Sequence, residues 1–311
     1  MPGPDPGPDP GPATGPGGPG ALLVVGDVVT DVVARHRTPL APATDTAAEI
    51  RTLPGGAGAN VACWAVRSGC PEARLLARVG TDSAVWHDLE LRRAGVRPLL
   101  VPDWEAPTAT VIALVGADAE RTFLTDSGAA LRLSPGDWSP RLLDGVARVH
   151  LSGYLFFGDR SRETAGRVLR DAAAAGVPVS VDPASAGFLS ELGAEAFLAA
   201  AAGAECLLPN ADEARTLTGH ADPATAAVAL STRFPLVAVT LGADGALLAA
   251  DGRVTARVPA PAARPVDTTG AGDAFTGAFL AARLTGTAPA GAAEAGCRAG
   301  ARAVTAVGGR P

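Results

Sequence analysis

The sequence contains no lysine, and all 26 of its basic residues are arginines. This absence excludes sites built on a lysine side chain: the lysine-bearing phosphate loop, the lysine Schiff base and the ATP-binding lysine of protein kinases. Glutamine is also absent, and Asn60 and Asn210 are the only asparagines. Each of these amides is therefore a candidate for a role that needs a donor and an acceptor together, although a skewed composition would also leave two by chance.

A basic charge excess and long apolar runs are missing too. The formal net charge is -6 and 47% of the residues are hydrophobic, which is typical of a globular, soluble chain without a nucleic-acid partner. No uncharged apolar run reaches about 18 residues, so we expect no membrane helix. The first residues lack the pattern of a secretory signal. The length of 311 residues corresponds to one large domain or two ordinary ones.

Metal-binding spacing is absent from the cysteines and histidines. We interpret the cysteines as reduced, mostly buried thiols of a cytoplasmic protein, and the histidines as structural or surface residues. These residues are Cys63, Cys70, Cys206 and Cys297, and His36, His87, His150 and His220.

Proline and glycine occupy 15 of the first 20 positions. Because such a segment has few apolar groups to bury, residues 1–20 are predicted to be a disordered tail and residues 21–311 a folded domain. In that domain predicted strands alternate with helices, which indicates an α/β fold with a mainly parallel central sheet, helices on both faces, and ligands at the carboxyl ends of the strands. The predicted strands are 21–25, 73–78, 149–152, 178–182, 206–209 and 236–240, and the predicted helices are 60–68, 84–94, 162–175, 189–202, 212–218 and 273–284.

Two stretches interrupt this alternation. Residues 28–51 are polar and show no helical period, and residues 108–125 are predicted to contain two strands, 108–115 and 120–125. We predict that the two stretches form a small antiparallel β lid outside the main core.

The strongest motif is the run D-T-T-G-A-G-D from Asp267 to Asp273, followed by an apolar helical pattern. A glycine-rich turn at a helix N-terminus directs several backbone N–H groups at one point, and the helix dipole adds positive potential there. The motif therefore predicts an anion cradle that needs no lysine, with a carboxylate beside it. The alternative is an ordinary helix cap after a tight turn.

The second motif is G-G-A-G-A-N from Gly55 to Asn60, also at the start of a predicted helix. Its glycines allow a ligand to approach the backbone, and Asn60 suits a sugar hydroxyl because its amide both donates and accepts. Val61 stands where a dinucleotide fingerprint needs its third glycine, which disfavours a nicotinamide enzyme. The alternative is a glycine-rich loop in which Asn60 caps the helix.

With both motifs present, the sequence resembles the ribokinase-like family of carbohydrate kinases, also called the phosphofructokinase-B family. The resemblance extends from about Leu22 to the last residue. Three further segments lie in the family's order between the motifs: R-V-G-T-D at 78–82, P-N-A-D-E at 209–213 and T-L-G-A-D-G at 240–245. The resemblance implies a ribokinase-like fold and ATP-dependent phosphorylation of a sugar or nucleoside hydroxyl.

The resemblance also implies roles at the acceptor end. Asp273 matches the family's catalytic base, and the three residues before it match an anion hole for the transferred phosphoryl group. Asp31 matches an aspartate that binds substrate hydroxyls, with Asp27 as a nearby alternative. The implied catalytic residues are Asp273, Gly270, Ala271 and Gly272, and the implied substrate-binding residues are Asp31, Gly56, Ala57, Gly58, Ala59, Asn60 and Asp273.

For ATP and metals, Asn210 and Glu213 match a motif that organises Mg²⁺ and the phosphates, largely through water. A capping box at a helix start is a compatible alternative, and a plain hairpin turn is the alternative for 240–245. The implied ATP-binding residues are Asn210, Thr240, Leu241, Gly242, Ala243, Asp244, Gly245 and Gly272. The family's ligands of a monovalent cation such as K⁺ match five residues of this sequence: Asp267, Thr269, Ala303, Ala306 and Gly308. The sequence departs from the family pattern at Pro311, where the family usually supplies a further ligand.

Three functional hypotheses result. The first is an ATP-dependent sugar kinase. The second is a nucleoside kinase, although only Trp104 and Phe123 are near the predicted lid to stack on a base. The third is a sugar-binding protein without catalysis, which the intact Asp273 and its glycines disfavour. We expect a small sugar and ATP as partners, no nucleic acid or membrane, and a homodimer through the lid, because lid strands in this family often pair between subunits.

Overall fold

The computed structural model describes residues 20–116 and 121–311. The predicted tail at 1–20 thus lies outside the described residues except for its last position. Within the described residues the strands are β1 Ala21–Val25, β2 Val29–His36, β3 Ala48–Gly55, β4 Ala73–Gly80, β5 Val96–Asp103, β6 Ala109–Val115, β7 Arg121–Asp126, β8 Val146–Ser152, β9 Val179–Asp182, β10 Cys206–Leu207, β11 Leu236–Thr240, β12 Ala246–Ala250 and β13 Arg253–Val258. The helices are α1 Ala57–Arg67, α2 Ala84–Arg93, α3 Asp159–Ala174, α4 Ala186–Leu192, α5 Ala194–Ala200, α6 Ala211–Thr218, α7 Pro223–Leu230, α8 Ala271–Leu284 and α9 Pro289–Ala303.

The main sheet has the strand order β13-β12-β11-β10-β9-β8-β1-β4-β5. Its pairs from β11 to β5 are parallel, and β12 and β13 form an antiparallel edge. The run Ala21–Val25 is apolar throughout because side chains from both of its faces are buried: Leu22 and Val24 pack into one core, and Leu23 and Val25 into the other. The predicted α/β fold with a mainly parallel sheet is confirmed.

The prediction of a single helix at 189–202 is wrong, because two shorter helices, α4 and α5, lie there. Gly193 separates them. Its φ of 91° lies outside the helical region, and glycine adopts such a value readily because it has no Cβ. Two alanine-rich helices, α7 and α9, were not predicted. Each begins with a proline, and α7 has a capping residue in Asp222, whose carboxylate accepts from the Thr225 N–H at 2.9 Å.

A second sheet, in the order β3-β2-β6-β7, forms the lid. Its two outer pairs are antiparallel, as predicted, while the central β2–β6 pair is parallel. Asp31 lies opposite Leu53 and Val111 in the register of these strands. The lid therefore places Asp31 on a mainly apolar face that covers the carboxyl edge of the main sheet.

The cysteines and two of the histidines lie in the protein interior. The four cysteines are buried and unpaired. His87 and His150 are buried and hydrogen bond to Thr30 and Ser180. In residues 20–116 and 121–311, no cluster of three metal-binding side chains occurs and no helix is long and apolar enough to cross a membrane.

Candidate active site

Two cavities meet at the carboxyl edge of the main sheet. The first, of about 480 Å³, lies between the sheet and the lid. The second, of about 410 Å³, lies between the β11–β12 turn and helices α8 and α9. Thr240 and Gly272 line both cavities, so these meet at the N-terminus of α8. Two ligands, one bound in each cavity, would therefore both contact this helix terminus.

The N-terminus of α8 carries the predicted anion cradle. Gly270 precedes the helix with a φ of 73°, in the left-handed region, and a side chain there would overlap the Gly309 backbone. The Ala271 N–H donates weakly to the Thr268 carbonyl at 3.3 Å. The amides of Gly272 and Asp273 lie in the first turn, where no helical carbonyl is available to them. These two amides are therefore the donors best placed for an anion.

Asp273 lines the first cavity beside these amides, and its carboxylate accepts a hydrogen bond from Asn60 Nδ2 at 2.8 Å. Burial raises the pKa of Asp273 well above its ordinary value, and the charges of Asp182, Asp27 and Asp31 raise it further. The hydrogen bond from Asn60 acts in the opposite direction. A carboxylate in this environment has a stronger affinity for protons than an exposed one.

Asn60 is not a helix cap, so that alternative was wrong. Helix α1 begins at Ala57, three residues before the predicted start, and the Asn60 N–H donates to the Gly56 carbonyl at 2.8 Å. The side chain points into the first cavity instead. Its Nδ2 bonds to Asp273, while Oδ1 is buried and accepts from no described group.

Asp27, the alternative to Asp31, anchors helix α1. It is 4% exposed, and its carboxylate accepts from the N–H groups of Ala57 at 2.8 Å and Gly58 at 3.1 Å, and from the Ser152 hydroxyl at 2.7 Å. A side chain on Gly58 would lie 2.9 Å from the Asp27 backbone nitrogen. Part of the glycine motif thus serves close packing. Gly56 and Ala57 line the first cavity, whereas Gly58 and Ala59 are buried behind it.

Asp31 lines the first cavity from β2. Burial raises its pKa to about 6, while the charge of Arg310 lowers it. Gly55 leaves room for the carboxylate, which a side chain at that position would overlap. The structure therefore brings Asp31, Asn60 and Asp273 to one cavity.

Asn210 and Glu213 form the capping box that the sequence offered as an alternative. The Glu213 N–H donates to Asn210 Oδ1 at 2.9 Å, and the Asn210 backbone and side-chain N–H groups donate to Glu213 at 2.9 and 2.7 Å. Both residues also line the first cavity, so capping and ligand binding are compatible. Burial, with the charge of Asp182 next, raises the pKa of Glu213 to about 8.

Sequence reasoning missed Asp182, the last residue of β9. Its carboxylate lines the first cavity and accepts from the Ala184 N–H at 2.8 Å and from the Thr276 hydroxyl at 3.4 Å. Burial raises its pKa to about 6. Its position at the carboxyl end of a predicted parallel strand was the available signal.

The predicted ATP segment forms the β11–β12 hairpin turn at the mouth of the second cavity. Four of its residues line that cavity: Thr240, Gly242, Ala243 and Gly245. Two do not, since Leu241 packs against the core and Asp244 is exposed. The far end of the cavity is lined mainly by small and apolar residues, including Ala260, Pro261, Phe275, Gly296 and Val304.

The predicted cation ligands lie around Asp267. Its carboxylate accepts from the Thr269 N–H at 2.8 Å and from the Gly308 N–H at 3.1 Å, and all three residues line the first cavity. Ala303 and Ala306 do not line it: Ala303 is buried at the end of α9, and its carbonyl accepts from the Ala306 N–H at 3.2 Å.

Aromatic side chains also reach the first cavity from two directions. Phe123 comes from the lid, and Tyr154 and Phe188 come from the main body. The rings of Tyr154 and Phe188 are 5.9 Å apart, edge to face, and Phe157 stacks on Phe188 at 5.1 Å. Sequence reasoning found Phe123 but not the other two, because neither lies on the predicted lid.

Comparison with known proteins agrees with this architecture. Residues 20–311 match the model of the pfkB family carbohydrate kinases. A fructokinase from Klebsiella pneumoniae is 30% identical over 275 residues, covering 84% of each chain. An aminoimidazole riboside kinase from Salmonella typhimurium is 32% identical over 279 residues, covering 83% of this chain and 79% of that protein.

A crystal structure of a probable sugar kinase from Rhizobium etli superimposes with a TM-score of 0.85, at 24% identity, over 94% of this chain and 95% of the other. This likeness shows the ribokinase-like fold. The family match over nearly the whole chain settles the class of enzyme. The chain belongs to the pfkB family of carbohydrate kinases, which are phosphotransferases that use an alcohol group as acceptor.

Proposed function

We propose that the protein transfers the γ-phosphoryl group of ATP to a hydroxyl of a small, uncharged sugar or sugar derivative. The observation that supports this most is the meeting of the two cavities at the N-terminus of α8, beside Asp273. ATP would occupy the second cavity, with its phosphates directed at this terminus. The acceptor would occupy the first cavity beneath the lid.

In this proposal Asp273 is the general base. It takes the proton of the acceptor hydroxyl as the oxygen attacks the γ-phosphorus, a role worth roughly 10²–10⁴-fold in rate. The amides of Gly272 and Asp273 stabilise the charge on the transferred group. Asn60 orients the base through Nδ2 and has Oδ1 left to accept from the acceptor. Asp31 would accept from a second hydroxyl.

The acidic residues near the phosphate end fit Mg²⁺. Asn210, Glu213 and Asp182 present oxygen atoms to the first cavity, and hard cations prefer such ligands. Burial raises the pKa of both carboxyls, so a cation would relieve their unfavourable ionisation. Bound with ATP, Mg²⁺ would supply neutralisation of phosphate charge.

The charge of the first cavity supports an uncharged acceptor. Among its described lining residues there is no arginine or histidine, while seven acidic side chains are present: Asp27, Asp31, Asp126, Asp182, Glu213, Asp267 and Asp273. An anionic group about 6 Å from one carboxylate would be repelled by about 3 kcal/mol at an effective dielectric constant of about 20. No cationic side chain among these residues would compensate the negative charge of a phosphorylated sugar or a sugar acid.

A nucleoside is the second candidate acceptor, and the aromatic side chains support it. Phe123 on the lid and Tyr154 and Phe188 in the main body offer apolar surfaces to a base attached to the sugar. Replacing Phe188 by Ala would then weaken adenosine phosphorylation without a matching loss for a free sugar. Equal losses for both would disfavour a base-binding role.

A coupled assay of ADP release tests the proposal. The protein receives MgATP with D-ribose, D-fructose, adenosine, fructose 6-phosphate or 2-keto-3-deoxygluconate. We expect turnover with an uncharged acceptor, no increase over the acceptor-free rate with the two anions, and a loss of about 10²–10⁴-fold in Asp273→Asn. Preference for an anionic acceptor would overturn the charge argument, and full activity of Asp273→Asn would overturn the role of the base.

We further propose a K⁺ site at the loop around Asp267. The Thr269 N–H donates to Asp267 within this loop, and the Gly308 N–H joins the loop to residues 308–310 beside the anion cradle. These bonds hold the Asp267 carboxylate, a ligand that suits a cation, next to the cradle. Replacing K⁺ by tetramethylammonium at constant ionic strength should lower kcat. The same kcat with both ions would remove the cation from the proposal.

We also propose a homodimer through the outer face of the lid. Val32, Ile112 and Leu124 share one row of its register, on the face opposite Asp31. Leu124 and Ile50 are 54% and 65% exposed. Light scattering should give twice the mass of one chain, and Ile50→Arg should give a single chain. A monomeric wild type would refute this proposal.

A further inference from the structure

The C-terminal segment 308–310 connects three parts of the site. Gly308 bonds to the Asp267 carboxylate. The Gly309 carbonyl accepts from Trp64 Nε1 at 2.9 Å, and a side chain on Gly309 would overlap the Asn60 amide. The segment therefore lies directly against the anion cradle and against the residue that orients the base.

Arg310 extends this segment to the acceptor end. Its Nη2 donates to the Gly55 carbonyl at 3.0 Å, and its Nε and Nη1 are buried and donate to no described group. Gly55 is also the residue against which the Asp31 carboxylate packs. The guanidinium and the carboxylate thus both contact one glycine at the base of the lid.

The titratable groups that interact electrostatically with Arg310 come from three elements. They are Asp31 on β2, Cys63 on α1, and His87 and Glu90 on α2. Asp31 in turn faces Asp27 and Asp267, whose charges raise its pKa, whereas the charge of Arg310 lowers it. The charge of Arg310 thus counters the charges of Asp27 and Asp267 on Asp31.

We propose that Arg310 is a positioning residue that, from its place against Gly55, keeps Asp31 ionised for the acceptor. The inference rests on the proposed function, in which the Asp31 carboxylate accepts from an acceptor hydroxyl. A protonated Asp31 would lose the negative charge that strengthens the hydrogen bond it accepts, and one of its two oxygens would become a donor. Arg310 is placed to prevent this without entering the cavity, so it adds no cation for an anionic acceptor to bind.

A direct test follows the ionisation of Asp31 by carboxyl ¹³C NMR, with the signal assigned by its loss in Asp31→Asn. We expect a midpoint near pH 6 in the wild type and a rise of about one pH unit or more in Arg310→Met. Arg310→Lys, which keeps the charge, should remain near the wild type. Arg302→Met is the matched control, since Arg302 is exposed on the last turn of α9. If Arg310→Met does not fold, Arg310→Gln provides the neutral variant.

Kinetics give the second measurement. With the best of D-ribose, D-fructose and adenosine, Arg310→Met should raise the acceptor KM by about 10-fold and leave the KM for ATP unchanged. In an Asp31→Asn background, Arg310→Met should have no further effect on the acceptor KM, because Arg310 acts on the acceptor only by keeping Asp31 ionised. An unchanged Asp31 midpoint, or the same increase in KM in both backgrounds, would overturn the proposal. Absence of ADP release with every acceptor, together with a shifted midpoint, would instead overturn the proposed function alone.

Discussion

Replacing Asn60 by Ala separates two effects that the structure assigns to the two ends of one amide. Nδ2 donates to Asp273 at 2.8 Å, and Oδ1 is buried without a partner among the described residues, in a side chain that lines the first cavity. In the proposed function the Nδ2 contact acts on the base, and Oδ1 would accept from the acceptor. We therefore expect changes in both kcat and the acceptor KM, whereas the sequence alone predicted a change in the acceptor KM.

The size of the effect on kcat follows from the hydrogen bond to a charged group. Such a bond contributes about 1.5–3 kcal/mol, which corresponds to about a 10- to 150-fold change in an equilibrium constant. Because the bond stabilises the ionised carboxylate, its loss raises the pKa of Asp273 further. The base is then ionised only at higher pH, so the acid limb of the kcat profile should move to higher pH. At pH above the limb, kcat should approach that of the wild type.

The assay measures kcat from pH 5.5 to 10 with both substrates saturating, followed by the KM of each substrate at the plateau. Loss of Oδ1 should raise the acceptor KM by about 10-fold and leave the KM for ATP unchanged. Asn210→Ala is the matched control, because it removes the other asparagine and should leave the acid limb in place. A uniform fall of kcat at every pH would show that Asn60 does not act through Asp273.

Three further predictions concern the metal end and stability. Asn210→Ala should raise the KM for MgATP, steepen the dependence on Mg²⁺ and cost about 1 kcal/mol of stability through the lost cap, as measured by substrate variation and urea unfolding. Burial raises the pKa of Glu213 from 4.5 to about 8, so between these pH values the ligand-free folded protein binds more protons than the unfolded chain. The melting temperature should therefore fall as the pH rises from 4.5 to about 8. A melting temperature that rises over this range would contradict the prediction. Asp27→Ala should lower stability by about 1–3 kcal/mol or more, because the Ala57 and Gly58 amides lose their acceptor, and Asp27→Asn should lower it less.

Sequence reasoning placed the main parts of the site because parallel strands share one carboxyl edge. Residues that follow predicted strands or begin glycine-rich helices meet there, which is why Asn60, Asn210 and Asp273 lie on one cavity. The nearby Asp182 obeys the same rule and was overlooked. The general position of a site in this fold is thus readable from the order of elements.

The division of work between Asp27 and Asp31 was not readable from the sequence. The two aspartates are four residues apart in a polar stretch, and either suits a sugar hydroxyl. Only the packing of α1 on the end of β1 shows that Asp27 is used by helix amides, while the register of β2 turns Asp31 to the cavity. Helix α1 also begins earlier than predicted, at Ala57, where the distant Asp27 and not a neighbour in sequence accepts from the amides of the first turn.

The absence of lysine has a physical counterpart in the site. A cationic side chain beside Asp273 would hold the pKa of that carboxyl low and make it a weaker base. The first turn of α8 instead offers backbone amides, which favour an anion but carry no net charge and do not titrate. The arginine that acts on Asp31 lies outside the cavity, behind Gly55. In the proposed function, phosphate oxygens are stabilised while the base keeps its raised pKa. This separation is how a lysine-free chain would suit phosphoryl transfer to a hydroxyl of an uncharged acceptor.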